Sequence, residues 1–257
     1  MFADERRTEI LKLIEQKHSV TVSFLSDKFG TSEVTIRRDL QELENEGLLK
    51  RTHGGAMKVN NPKQELNIVD LNMKQVEEKI AIAKQAYSII EDGDAIIIDP
   101  STTAGMITKF IREGEKKDIT VVTNSFRVVS ELMDCEKVEV IHVGGQLIRS
   151  FESSVGIIAE NTLASLNVDK TFIGINGVDF ESGLTTINLY ESKMKSMMLK
   201  CGRETYVLAD HTKFNKVHLS VVKRFDDIRS TIITDCNVDE DVISKLNDSG
   251  LSYIVSK

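Results

Sequence analysis

A chain of 257 residues, 40% of them apolar, with no tryptophan and a formal net charge of -7, has the material for one small and one medium domain. No apolar run approaches the roughly 18 residues of a membrane span, the start Asp4-Glu5-Arg6-Arg7 is charged, and a cytoplasmic location is expected. The three cysteines Cys135, Cys201 and Cys236 form no CxxC pair, which argues against a disulfide framework or a thiolate zinc site, and the acidic total argues against a protein that coats nucleic acid.

From about Asp4 to Gln16, Ile10, Leu11, Leu13 and Ile14 recur at helical spacing and predict a support helix. Thr21 is placed to cap a second helix, Val22 to Phe29, whose Phe24, Leu25 and Phe29 supply core, and Gly30-Thr31 turn the chain into Ser32. Ser32 is an N-cap whose hydroxyl can accept from first-turn amides, and Glu33 suits the positive end of the dipole. With Ile36 as reference at 100° per residue, Leu40 and Leu43 fall within about 40° of it, while Arg38, Gln41 and Asn45 point away.

Gly47 is expected to end this third helix, Leu48 to Thr52 has strand character, and Gly54-Gly55 can fold the strand back. The hairpin carries Lys50, Arg51 and Lys58, with His53 in the same wing. Arginine pairs usually belong to solvated helix faces. Here the cap, the apolar triplet, the glycine stop and the basic hairpin come in the order that docking on duplex DNA requires, so a winged helix-turn-helix is expected over residues 1–58. Thr35, Arg37 and Arg38 are the expected base readers, with Lys50 and Arg51 as phosphate anchors; Gln41 and Asn45 are weaker candidates near the helix end.

Residues 1–58 hold ten Lys or Arg against ten Asp or Glu, so the remainder carries the whole -7. An acidic body with a locally basic face suits selective, salt-sensitive DNA binding. Residues 59–74, with Asn60-Asn61-Pro62, read as a linker. From residue 75 to 257 helix and strand alternate. Helices are expected at Val76 to Ile90, Thr102 to Ile111, Val155 to Ser165, Glu191 to Gly202 and Glu240 to Asn247. Strands are expected at Ala95 to Asp99, Ile119 to Thr123, Val138 to Val143, Lys170 to Ile175, Thr205 to Ala209, Thr231 to Thr234 and Tyr253 to Val255. This is the pattern of a parallel sheet covered on both faces, whose ligands bind at the carboxyl ends of the strands.

Those strand ends carry Asp99-Pro100-Ser101-Thr102-Thr103, Thr123-Asn124-Ser125, Gly144-Gly145-Gln146, Asn176-Gly177-Val178-Asp179 and Asp210-His211-Thr212-Lys213. Ser, Thr, Asn and Gly after a strand are ordinary turn and cap residues. Repeated on five tips, they point to a polyol-phosphate site in which Ser101, Thr102 and Thr103 meet an anion. In that site Asp179 and Asp210 would accept from sugar hydroxyls, while Lys195 and Lys213 neutralise phosphate. The five histidines lack ligand spacing, no GxxxxGK[ST] run exists, and Gly174 with Gly177 makes no dinucleotide fingerprint, so neither metal nor cofactor is expected. Met194, Met197 and Met198 read as core or subunit contact.

The run SEVTIRRDLQELENEGLLKRTHGGA resembles the signature of DeoR-family bacterial transcription regulators, and IIIDPSTT, VVTNS, VGGQLIRSFESSVG and LADHTKF resemble that family's sensor domain. The resemblance spans nearly the whole chain. It implies a repressor of a sugar-uptake or sugar-catabolism operon, released from DNA by a phosphorylated sugar. It also implies an α/β sensor with a parallel, Rossmann-like sheet similar to ribose-5-phosphate isomerase. Arg149 joins the expected ligand residues through the third of those segments. One departure is Pro100-Ser101, where the family often has glycine; proline donates no NH, so the cradle rests more on side chains.

The expected assembly is a dimer or tetramer that sets two winged helices on double-stranded operator DNA. A rival reading is a sugar-phosphate isomerase carrying a DNA-binding module, with Asp99, Asp179 or Glu191 as base. An RNA-binding protein fits poorly, since aromatic stacking platforms and a broad basic face are both missing from the sequence.

Overall fold

The computed structural model describes residues 3–17, 19–45, 48–52, 54–58, 74–225 and 229–256. Gly47, His53 and the expected linker apart from Lys74 lie outside the described residues. The chain divides into two units, Met1–Gln64 and Glu65–Lys257.

Among the described residues the first unit has three helices, α1 (Ala3–Lys17), α2 (Val22–Phe29) and α3 (Glu33–Asn45). Thr21 caps α2 by accepting the Phe24 amide at 3.2 Å, and Gly30 ends it in the left-handed conformation at φ 59°. Ile10, Ile14, Leu25, Ile36, Leu40 and Leu43 are buried together, so the apolar stripes of all three helices meet in one core. An antiparallel sheet closes the unit: β1 (Ser19–Thr21), β2 (Leu49–Thr52) and β3 (Gly55–Lys58) in the order β1-β3-β2. Strand β1 is unexpected, because three residues are too few to display alternation.

In this sheet Gly55 opposes Thr21. A Cβ built on Gly55 lands on the Val20 carbonyl oxygen, which is fixed backbone. Gly55→Ala is therefore expected to destabilise this unit by about 1–3 kcal/mol, as overpacking does. A lower urea midpoint for the N-terminal transition, beside an unmoved C-terminal one, is the measurement that checks it.

The second unit is built on a seven-stranded sheet whose paired strands are all parallel. In chain order its strands are β4 (Ala95–Ile98), β5 (Ile119–Thr123), β6 (Val138–His142), β9 (Val168–Gly174), β12 (Gly202–Leu208), β14 (Thr231–Thr234) and β15 (Tyr253–Val255). Their spatial order is β15-β14-β12-β9-β4-β5-β6. Alternate residues bury against opposite layers, as period-two side chains must. Ile96 and Ile98 pack with α4 (Val76–Ile89), α5 (Thr102–Gly105), α6 (Ile107–Glu113) and α7 (Phe126–Leu132). Ile97 and Ile173 pack with α8 (Ile157–Ala164), α9 (Leu189–Cys201) and α10 (Glu240–Asp248).

Several expectations shift. The helix expected over 102–111 is two helices broken at Met106, and Val155, the first residue of the helix expected over 155–165, instead ends strand β8 (Ser153–Val155), paired with β7 (Gln146–Ile148). A second antiparallel sheet, β10 (Gly177–Asp179), β11 (Gly183–Thr186) and β13 (Ser220–Lys223), stands beyond the parallel one. Its strands are only three or four residues long, and β11 is buried on both faces, so little alternation marks them in sequence.

Candidate functional site

On α3 the cap forms as the residue types require: Ser32 Oγ accepts the Thr35 amide at 3.3 Å and lies 3.0 Å from the Thr35 hydroxyl. Arg37 and Arg38 face solvent, each beside a carboxylate one turn away. Arg37 Nη2 donates to Glu33 Oε2 at 3.1 Å, and Arg38 Nε lies 3.4 Å from Glu42 Oε1 with its side chain 82% exposed. Exposed pairs at this spacing are worth only about 0.3–0.5 kcal/mol, so either guanidinium leaves its partner at little cost. Lys50 is exposed on β2.

Gln41 and Arg51, two expected DNA contacts, are engaged with each other. An Arg51 Nη donates to Gln41 Oε1, Gln41 Nε2 donates to Asn45 Oδ1 at 3.1 Å, and the Arg51 amide donates to Glu44 Oε1 at 2.8 Å. These bonds staple the wing to the end of α3. The buried Asp39 accepts from Arg6 Nε at 2.6 Å and Arg6 Nη2 at 3.2 Å, fastening α1 to α3. Its hydrogen bond holds the Arg6 pKa above the usual value.

In the second unit the strand order reverses between β4 and β9, and the crevice beyond their carboxyl ends is where α/β sheets bind ligands. Asp99, one residue past β4, is fully buried there. Its Oδ1 accepts from the Ser101 amide at 3.1 Å, the Ser101 hydroxyl at 2.5 Å and the Gly174 amide at 3.1 Å, and its Oδ2 pairs with Lys195 Nζ. Burial pushes the Lys195 pKa down, but Asp99 and Glu191 outweigh it, so the pKa is raised and the ammonium persists.

Asp210, past β12, is likewise fully buried; it pairs with Lys213 Nζ at 2.7 Å and accepts the Thr212 amide at 3.0 Å. Burial pushes its pKa up, and the charge and hydrogen bonds of Lys213 outweigh that, leaving it lowered. Lys79, on α4, is the residue whose sequence context conceals it. It is buried, and its pKa falls to about 8, first through burial and then through the charge of Lys213, with Asp210 opposing. Lys79, Lys195 and Lys213 line one cleft with Ser101, Thr102, Thr103 and Asn176, and Pro100, Phe151 and Glu191 are in its wall. A narrower compartment adjoins it, sharing Pro100, Glu191 and Lys195 and lined in addition by Asn124 and Ser153.

Other expected ligand residues are placed elsewhere. Thr123 Oγ1 donates to the Ile98 carbonyl at 2.7 Å and accepts the Ser125 amide at 3.1 Å, while Ser125 Oγ caps α7 by accepting the Val128 amide at 3.3 Å. Both are buried and set the loop that carries Asn124. Asp179 is turned to the β10–β11 tip, where the amides of Ser182 at 2.8 Å and Glu181 at 3.2 Å donate to its Oδ1 and hold its pKa down. Gly177 enters β10 against the Lys216 carbonyl; Gly144 and Gly145 lead into β7, and Gly145 abuts Val155. Arg149 is exposed in the turn Arg149–Phe151, from which Phe151 reaches the cleft. The tips after β6 and β9 continue into hairpins, which carries these residues past the crevice. A broader groove between α6 and α7 holds Arg112 against Asp134.

Among the described residues, no group of three or more His, Cys, Asp or Glu is arranged to hold a metal ion, and no helix is long and apolar enough to cross a membrane. A winged helix-turn-helix with an exposed arginine pair, together with an α/β unit opening a lysine-lined cleft at its switch point, defines a DNA-binding transcriptional regulator with a separate sensor. Residues 6–62 match the DeoR-like helix-turn-helix domain and residues 74–236 the DeoR C terminal sensor domain. The chain belongs to the DeoR family. It is 35% identical to the uncharacterized HTH-type transcriptional regulator YulB of Bacillus subtilis, over 96% of this chain and 95% of that one. It is 34% identical to the lactose phosphotransferase system repressor of Lactococcus lactis subsp. lactis, over 82% of this chain and 84% of that one. A looser likeness is to the ribose 5-phosphate isomerase a structure from Methanocaldococcus jannaschii, at 20% identity and a TM-score of 0.39, covering 60% of this chain and 58% of that one.

Proposed function

We propose that this regulator represses an operon for uptake or breakdown of a sugar, and that a phosphorylated sugar bound in the lysine-lined cleft releases it from its operator. The observation that carries this reading is the convergence of Lys79, Lys195 and Lys213 with Ser101, Thr102, Thr103 and Asn176 at the switch point. Asp99 and Asp210 already hold Lys195 and Lys213 in place. A phosphate dianion then meets a cleft arranged in advance, with Lys79 and Lys213 nearest its charge and the hydroxyls around it. The repressor name of the lactose-system relative supports the same direction.

In this reading residues 1–58 read DNA, 59–74 link, and 75–257 sense, in a cytoplasmic dimer or tetramer. Pairing two winged helices through the sensors makes a modest rearrangement enough to disengage both, since a coupling of about 1–3 kcal/mol changes occupancy 5- to 150-fold. The chain acts without catalysis. Asp99 is spent on Lys195, Ser101 and Gly174, and Asp179 lies at a hairpin tip, which leaves Glu191 as the carboxylate facing the cleft.

The test is a gel-shift titration of operator DNA with a panel of pentose and hexose phosphates, beside an assay for their turnover. One of them is expected to release the DNA, with no turnover of any. Lys213→Ala is expected to raise the midpoint of that release tenfold or more by removing the cation opposite Asp210. An unmoved midpoint removes Lys213 from the site, and measurable turnover makes the protein an enzyme.

A further inference from the structure

The compartment next to the lysines contains two polar atoms with nothing to bind. Asn124 Oδ1 and Ser153 Oγ are buried and have no hydrogen-bond partner among the described residues. Such atoms are costly and rare in a folded protein, and each requires an explanation. The orientation of Asn124 is fixed: its Nδ2 donates to the Ser154 carbonyl at 2.7 Å, and the Ser154 amide donates to the Asn124 carbonyl at 2.8 Å. With the amide nitrogen committed to β8, the oxygen is left for the compartment. Ser153, one residue earlier on the same strand, lines it as well. The water-accessible space there is about 10 Å³, room for a single hydroxyl-sized group, walled by Pro100, Val155, Met194 and Met198, with Glu191 and Lys195 where it meets the main cleft.

The chemistry of these walls selects what enters. Asn124 Oδ1 can only accept, Ser153 can accept or donate, the Lys195 ammonium is already neutralised by Asp99, and Glu191 brings negative charge to a space of one hydroxyl, so a phosphate is excluded and a hydroxyl is welcome. Lys79 and Lys213 line the other part of the site and not this compartment. Resting on the function proposed above, we propose that this compartment is the hydroxyl-recognising subsite of the effector. The phosphate lies by Lys79 and Lys213, and a hydroxyl at the opposite end of the sugar donates to Asn124 Oδ1 and bonds with Ser153 Oγ. The effector is then a sugar monophosphate with a free hydroxyl remote from its phosphate; a sugar bisphosphate of the same skeleton is refused.

The experiment is a thermal-shift titration of the full chain with fructose 1-phosphate, fructose 6-phosphate, tagatose 6-phosphate, ribose 5-phosphate, the corresponding bisphosphates, and inorganic phosphate as the arm that reports the lysine end alone. The wild-type chain is expected to bind a monophosphate at least tenfold more tightly than its bisphosphate. Ser153→Ala is expected to weaken that monophosphate tenfold or more while the inorganic phosphate midpoint stays in place, a split that general loosening of the fold does not produce. Equal midpoints for wild type and Ser153→Ala overturn the subsite, since the compartment then holds only water, and so does a bisphosphate that binds as well as the monophosphate. A wild-type chain that responds to no sugar phosphate overturns the function proposed above and this inference with it.

Discussion

Arg38→Ala is expected to abolish selective operator binding while leaving the fold intact. Its side chain is 82% exposed and touches Glu42 one turn on, so its loss changes stability by no more than about 0.5 kcal/mol. A bidentate contact to a base edge is worth roughly 1–3 kcal/mol, and in the assembly proposed above two half-sites lose it together, which brings a specific complex down toward non-specific affinity. The contrast with the next residue is what makes the test clean. Asp39 is buried against Arg6, so a change there removes the α1–α3 fastening and confuses folding with reading. Lys50 supplies the other control. As an exposed wing cation it is suited to phosphate, and Lys50→Ala would lower affinity for every sequence and reduce the salt dependence by about one counterion. Footprinting at moderate salt separates the cases. An Arg38→Ala protein that still protects the same operator shows that α3 has been assigned the wrong role.

Much of this arrangement is legible in residue order because local rules set it. Thr21 and Ser32 are caps by chemistry, Gly30 adopts the left-handed turn, and the Ile36–Leu40–Leu43 stripe fixes which side of α3 faces out. The parallel sheet is legible for the same reason, as short apolar strands separated by helices admit few other layouts. What sequence conceals is long-range. Lys79 stands beside Glu77 and Glu78 on a helix and reads as part of a solvated face; only packing of α4 over the crevice buries it. Asp39 looks like one more charge on a polar helix until Arg6, 33 residues earlier, closes on it. Asp179 errs the other way, a residue of the right type after the right strand that a hairpin then removes from the site.

The second large effect is a pH dependence of effector binding that resides in Lys79. Burial first, and then Lys213, Lys74 and Arg127, press its pKa from 10.5 to about 8, with Asp210 opposing. A sugar phosphate is a dianion above about pH 7, and placed by Lys79 it favours the ammonium, so binding takes up a proton once the free protein has lost one. Affinity is therefore greatest near pH 7 and falls above it, by about tenfold between pH 7 and pH 9, because only the protonated fraction binds well. Stability of the ligand-free protein moves the opposite way. The folded pKa lies below the unfolded one, so between pH 8 and 10.5 the unfolded chain holds a proton that the folded chain has released. The contribution of this group to stability thus rises with pH across that window and is at its least favourable below pH 8. Lys79→Arg keeps the charge at every pH and should bind with no slope from pH 7 to 9; Lys79→Met should bind weakly, also with no slope. Melting temperatures of the three proteins at pH 7, 8 and 9, with and without the effector, separate the two opposing trends. A wild-type slope that survives in Lys79→Arg assigns the titration to another group.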